Sequence, residues 1–109
     1  MACLFLQQQG LKLLERNFRI PQGEIDLVMQ HNDCLVFVEV RYRRSHSHGG
    51  AAGSVTAAKC RRIHLAAQAF LQSRHLSEQI ASRIDVVAIS PDREKPHKFV
   101  YQWIKNITL

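Results

Sequence analysis

No stretch of this chain is apolar for the eighteen or so residues that a membrane-crossing helix needs, and the opening "ACLFL" lacks the length and basic flank of a secretory leader. A cytoplasmic protein with no membrane partner is therefore expected. Cysteine is scarce as well. Cys3, Cys34 and Cys60 are odd in number and far apart, with no C-x-x-C pair, so neither a disulfide framework nor a cysteine zinc site is suggested, and the three read as small core fillers. Acids are the minority charge. Nine Asp and Glu against fifteen Lys and Arg give a net charge of +6 and a pI near 9.7, a balance that favours polyanions such as nucleic acid without proving one. With 109 residues, 46% of them hydrophobic, the chain has material for one core and not two, so a single domain over 1–109 is expected.

The hydrophobic pattern sorts into a few elements. A brief helix is read over residues 2–9, with Gly10 ending it before a short extended stretch. Residues 24–30 alternate, with Ile25, Leu27 and Met29 on one side, and residues 35–42 alternate again, with Val36, Val38 and Val40 on one side; the polar "QHND" between them reads as a hairpin turn. The small, glycine-rich stretch 45–54 reads as a loop. Thr56 can cap a helix over 57–73, whose apolar face is Ile63, Ala66, Ala67, Phe70 and Leu71. A third strand over 83–89, a polar loop and an edge strand over 99–104, "FVYQWI", complete the chain.

Two acids are out of place in this pattern. If Ile25, Leu27 and Met29 share a face with Val36, Val38 and Val40, a turn at Asn32 and Asp33 puts Asp26 opposite Glu39 and Glu24 opposite Arg41. Directly opposed residues hold their Cβ atoms roughly 4.5–5.5 Å apart, so two like charges there destabilise the pair. Asp and Glu are also poor strand residues. A bound cation would offset both penalties, and paired carboxylates are the hard oxygen ligands that Mg²⁺ accepts. The residues alone leave a second reading open: a solvated sheet end on which Arg41 and Arg43 are ion-pair partners of the acids and Glu24 simply neutralises Arg41.

At these residues the sequence resembles a known family. "GEIDLV", then "FVEVRYR" about a dozen residues on, then Lys59 in the following helix and "RIDVV" in the third strand are similar to the YraN-type family, a branch of the restriction-endonuclease-like PD-(D/E)xK group. The resemblance implies an α/β fold, a central mixed β-sheet flanked by helices, and a metal-dependent nuclease site. It implies Mg²⁺, or Mn²⁺ in its place, on Asp26 and Glu39, with Arg41 at the position that is usually lysine, and it selects the metal reading over the solvated one. Glu24 and Asp85 are supporting residues on this view. The chain departs from the family twice. It has no acid before Glu15, where the family carries a longer first helix with a glutamate, so the first helix is expected to be shortened. Arginine at 41 keeps its proton and cannot act as a general base, although it can hold a phosphate.

Arg43, Arg44, Lys59, Arg61 and Arg62 lie on either side of the glycine-rich loop, and are expected to contact nucleic-acid phosphates. The expected activity is hydrolysis of phosphodiester bonds in DNA, including branched or structured DNA. The alternative is a module of the same fold that binds nucleic acid but cuts it weakly or not at all. A third reading, a subunit that pairs with a partner through "FVYQWI", rests on that edge strand alone, and a homodimer is left open.

Overall fold

The computed structural model describes residues 1–43, 55–76 and 80–107. The elements in chain order are α1 (Ala2–Gln8), β1 (Lys12–Ile20), β2 (Gly23–His31), β3 (Cys34–Tyr42), α2 (Ala57–Ser73), β4 (Ser82–Pro91) and β5 (Phe99–Ile104). The strands form one sheet in the order β1-β2-β3-β4-β5. All neighbours are antiparallel except β3 and β4, which run parallel and are joined through α2. This is an α/β fold of restriction-endonuclease-like kind. Among the described residues, no helix is long and apolar enough to cross a membrane.

The two helices cover opposite faces of the sheet. Ala2, Cys3 and Leu6 of α1 pack on Leu27, Met29, Val36, Val38, Val87 and Ile89, and Phe5 stacks on Tyr101 with ring centroids 4.9 Å apart. The apolar stripe of α2 packs on Ile25, Val28, Leu35 and Phe37. Thr56 caps α2, its Oγ1 accepting the backbone N–H of Lys59 at 3.2 Å, as the sequence suggests. Cys3 and Cys60 are buried core fillers, while Cys34 is only half-buried. The expected loop over 45–54, and Arg44, lie outside the described residues.

Two features differ from the sequence reading. The short extended stretch after Gly10 is a nine-residue strand, β1, on the sheet edge. Its Glu15, Arg16 and Arg19 disguise it, because edge strands carry charge where inner ones cannot. The second difference concerns β2. The hairpin register matches expectation from His31–Cys34 to Leu27–Val38, and Asn32 turns the chain at φ +55°. Beyond Leu27 the regular alternation fails: Leu27 and Met29 face α1, but Ile25 faces α2. Strand β1 is irregular at the same level, with Asn17 at φ +51° between Arg16, which pairs with Leu27, and Phe18, which pairs with Ile25. Both strands bend there, and β2 parts from β3.

Candidate active site

Asp26 sits at the fork where the β2–β3 ladder ends. Its Oδ2 accepts the backbone N–H of Val40 at 2.7 Å, so a side chain supplies the acceptor that β2's backbone no longer offers. An Asp is therefore useful here for a local reason, since a buried donor left unpaired is costly. The same placement brings its carboxyl against Glu39. The two acids interact by hydrogen bond and by charge, as the expected opposition requires, although the ladder itself stops one pair earlier.

Glu39 points to the α2 side of β3 and is buried, 5% exposed. Burial first, and then the hydrogen bond and negative charge of Asp26, push its carboxyl up from 4.5 to about 7, against the lowering pull of the Lys59 ammonium. Lys59 Nζ lies 3.1 Å from Glu39 Oε2. The ammonium thus opposes, without cancelling, the upward push of burial and of Asp26 on this carboxyl. Thr56 fixes Lys59 over the acid by capping the turn it belongs to. A buried carboxylate beside a second carboxylate, with an ammonium at hand, is a donor set that fits a hard divalent cation. Among the described residues no three His, Cys, Asp or Glu side chains converge, so such an ion would take two protein carboxylates and fill its shell with water.

The other expected residues are distributed unevenly. Glu24 is not opposite Arg41, because β2 has parted from β3; its Oε2 pairs instead with Arg19 Nε across β1 at 3.1 Å. Asp85 pairs with Val38 in the ladder and stands on the α1 side, away from Glu39. Fully buried, it accepts Arg83 Nε at 3.1 Å, Trp103 Nε1 at 2.9 Å and the Asn106 N–H at 2.8 Å. It ties β4, β5 and the segment after it together and touches neither acid of the fork. Arg41 and Arg43 line a cavity with Val40 and Tyr42 beyond Glu39 on β3. Arg61 and Arg62 are exposed on α2, Arg61 at an apolar cleft lined by Cys60, His64 and Ile107 that includes neither acid.

Two residues were passed over in the sequence. Arg16 and Tyr42 line a second cavity together with Asp26. Tyr42 carried a legible signal, an aromatic between two arginines in "RYR"; Arg16 did not, because its approach to Asp26 depends on the bend in β1.

Residues 1–89 match the model of the uncharacterised protein family UPF0102. A UPF0102 protein of Herminiimonas arsenicoxydans is 50% identical over 105 residues, 96% of this chain and 77% of the relative. One from Coxiella burnetii is 44% identical, covering 96% of this chain and 82% of the relative, and one from Nitrosomonas europaea is 46% identical, covering 96% and 84%. The fork that joins Asp26 to Glu39 thus stands in the stretch shared with these relatives, and the chain belongs to the UPF0102 family.

Proposed function

We propose that this protein is a divalent-metal-dependent nuclease that hydrolyses phosphodiester bonds in DNA, including branched or structured DNA. The observation that carries the reading is the buried carboxylate of Glu39, held against Asp26 with the Lys59 ammonium 3.1 Å from its Oε2. Mg²⁺ or Mn²⁺ on these two acids would supply a water of lowered pKa and a positive charge for the phosphate. The chain's own residues do the rest. Asp26 keeps its orientation through the Val40 N–H, and Glu39 is fixed by its place in the β3–β4 ladder. Arg41 and Arg43 bring fixed charge for the phosphate backbone. Lys59 takes the part that arginine at 41 cannot. It is the cation placed on Glu39, and an ammonium, unlike a guanidinium, can give up its proton and accept another.

The division of labour between Lys59 and Arg41 is testable by cleavage of labelled branched and single-stranded DNA in Mg²⁺ and Mn²⁺. Lys59→Arg keeps the charge and removes the exchangeable base, and is expected to lower the cutting rate by about a hundredfold with little change in DNA affinity. Arg41→Lys, which restores the usual residue, is expected to raise it. Equal rates in the parent and Lys59→Arg would contradict the role of Lys59.

One observation favours the second reading, a binding module that does not cut: the Lys59 ammonium already neutralises Glu39. Absence of metal-dependent cutting in the parent and in Arg41→Lys, with DNA binding intact, would select it.

A further inference from the structure

Tyr42 is the most exposed of the large apolar side chains described, at 69%. Single exposed apolar residues are common and need no explanation. This one differs in its position. Val40 and Tyr42 line both cavities at this end of the sheet, and Arg41 and Arg43 are the neighbours of Tyr42 on either side in the chain. One cavity holds Asp26 and Arg16, and the other Arg41 and Arg43. Their volumes, about 270 and 480 Å³, suit parts of a nucleotide better than an ion alone.

We infer that this end of the sheet takes an unpaired strand of nucleic acid, with a base stacked on Tyr42 and neighbouring phosphates on Arg16, Arg41 and Arg43. An exposed ring flanked by cations is the arrangement by which proteins hold single strands, because every unpaired base offers a face and the backbone follows the charge. A duplex keeps its bases stacked on one another and has no face to give. The inference rests on the reading of Asp26 and Glu39 as the cutting site and names the substrate class that would reach it: DNA with unpaired nucleotides.

The test is binding without divalent metal, in a chelator, so that it does not depend on cleavage. The probes are a labelled single-stranded oligonucleotide, a duplex of the same sequence, and a strand of the same length with abasic sites in place of its bases. The ratio of single-strand to duplex affinity is expected to fall about tenfold in Tyr42→Ala and to be kept in Tyr42→Phe. The unsubstituted protein should bind the abasic strand about as weakly as Tyr42→Ala binds the ordinary one. An unchanged ratio in Tyr42→Ala, or an abasic strand bound as tightly as the ordinary one, would overturn the inference. Either result leaves the metal-dependent cutting to be judged by its own assay, and a protein that cuts nothing can still show the Tyr42 effect.

Discussion

At pH 8, Glu39→Gln is expected to melt above the unsubstituted protein, although the same substitution should abolish metal-dependent cleavage. The folded carboxyl titrates at about 7 against 4.5 for the ordinary group, so the folded state holds this proton more tightly than the unfolded state does. Stability linked to Glu39 is therefore fully present below about pH 4.5, declines as the pH rises, and is lost above 7. A shift of that size corresponds to at most about 3 kcal/mol. Glutamine keeps the shape and carries no charge, so its advantage over glutamate should grow between pH 4.5 and 7 and then level off. Calorimetry of both proteins across that range in a chelator checks the sign. A Gln variant less stable at pH 8 than at pH 5, relative to the parent, would mean that the Lys59 pair outweighs the burial. The trade of stability for function is what a binding or catalytic acid held in a poor place for itself would produce.

Of the two described glycines, Gly23 should tolerate alanine far less well than Gly10. A Cβ at Gly23 would lie 2.1 Å from the carbonyl oxygen of Arg62 and 2.8 Å from its carbon, and these are backbone atoms of α2 that cannot swing aside. Either β2 or the helix must move, at a cost of roughly 1–3 kcal/mol or more. The close approach is also what sets α2 down with Lys59 over Glu39, so the substitution should lower cleavage as well as stability. Gly10→Ala is the comparison: Gly10 has φ +97° but no neighbour for a methyl to strike, so only backbone strain is added there. Urea denaturation separates the two, and equal losses would mean that α2 is not held by this contact.

The sequence made some of this arrangement readable, and the limits are physical. The helix over 57–73 and the strand over 99–104 coincide with α2 and β5 because each carries a clear period and sharp ends, Thr56 at one and turn residues at the other. The hairpin register was readable because a one-residue slip would have turned Leu27, Met29, Val36 and Val38 away from α1. Its extension to residue 24 was not, since alternation assumes a straight strand, and the bend at Asn17 and Asp26 leaves no mark in the spacing of apolar residues. For that reason Asp26 and Glu39 do meet while Glu24 and Arg41 do not. Asp85 is a comparable case. It looks like a site acid within "RIDVV", but Trp103 and Asn106, distant in sequence, satisfy it. Lys59 was visible as a cation near a helix start, but its contact with Glu39 is set by how closely the helix approaches Gly23.

If Asp26 and Glu39 hold a divalent cation, Mg²⁺ should raise the thermal stability of the folded chain, and a titration followed by melting measures this. Asp26→Asn is the decisive partner, because asparagine keeps an oxygen for the Val40 N–H and so preserves the fork while removing the charge an ion needs. Ligand that binds the folded state stabilises it by mass action, by about 2.7 kcal/mol when the ion is at a hundred times its dissociation constant, and so raises its melting point. Mg²⁺ should raise the melting temperature of the unsubstituted protein, more at pH 8 than at pH 6 because the ion competes with the proton on Glu39, and should leave Asp26→Asn unchanged. Equal shifts in the two proteins, or no shift in either at pH 8, would contradict a cation site on Asp26 and Glu39.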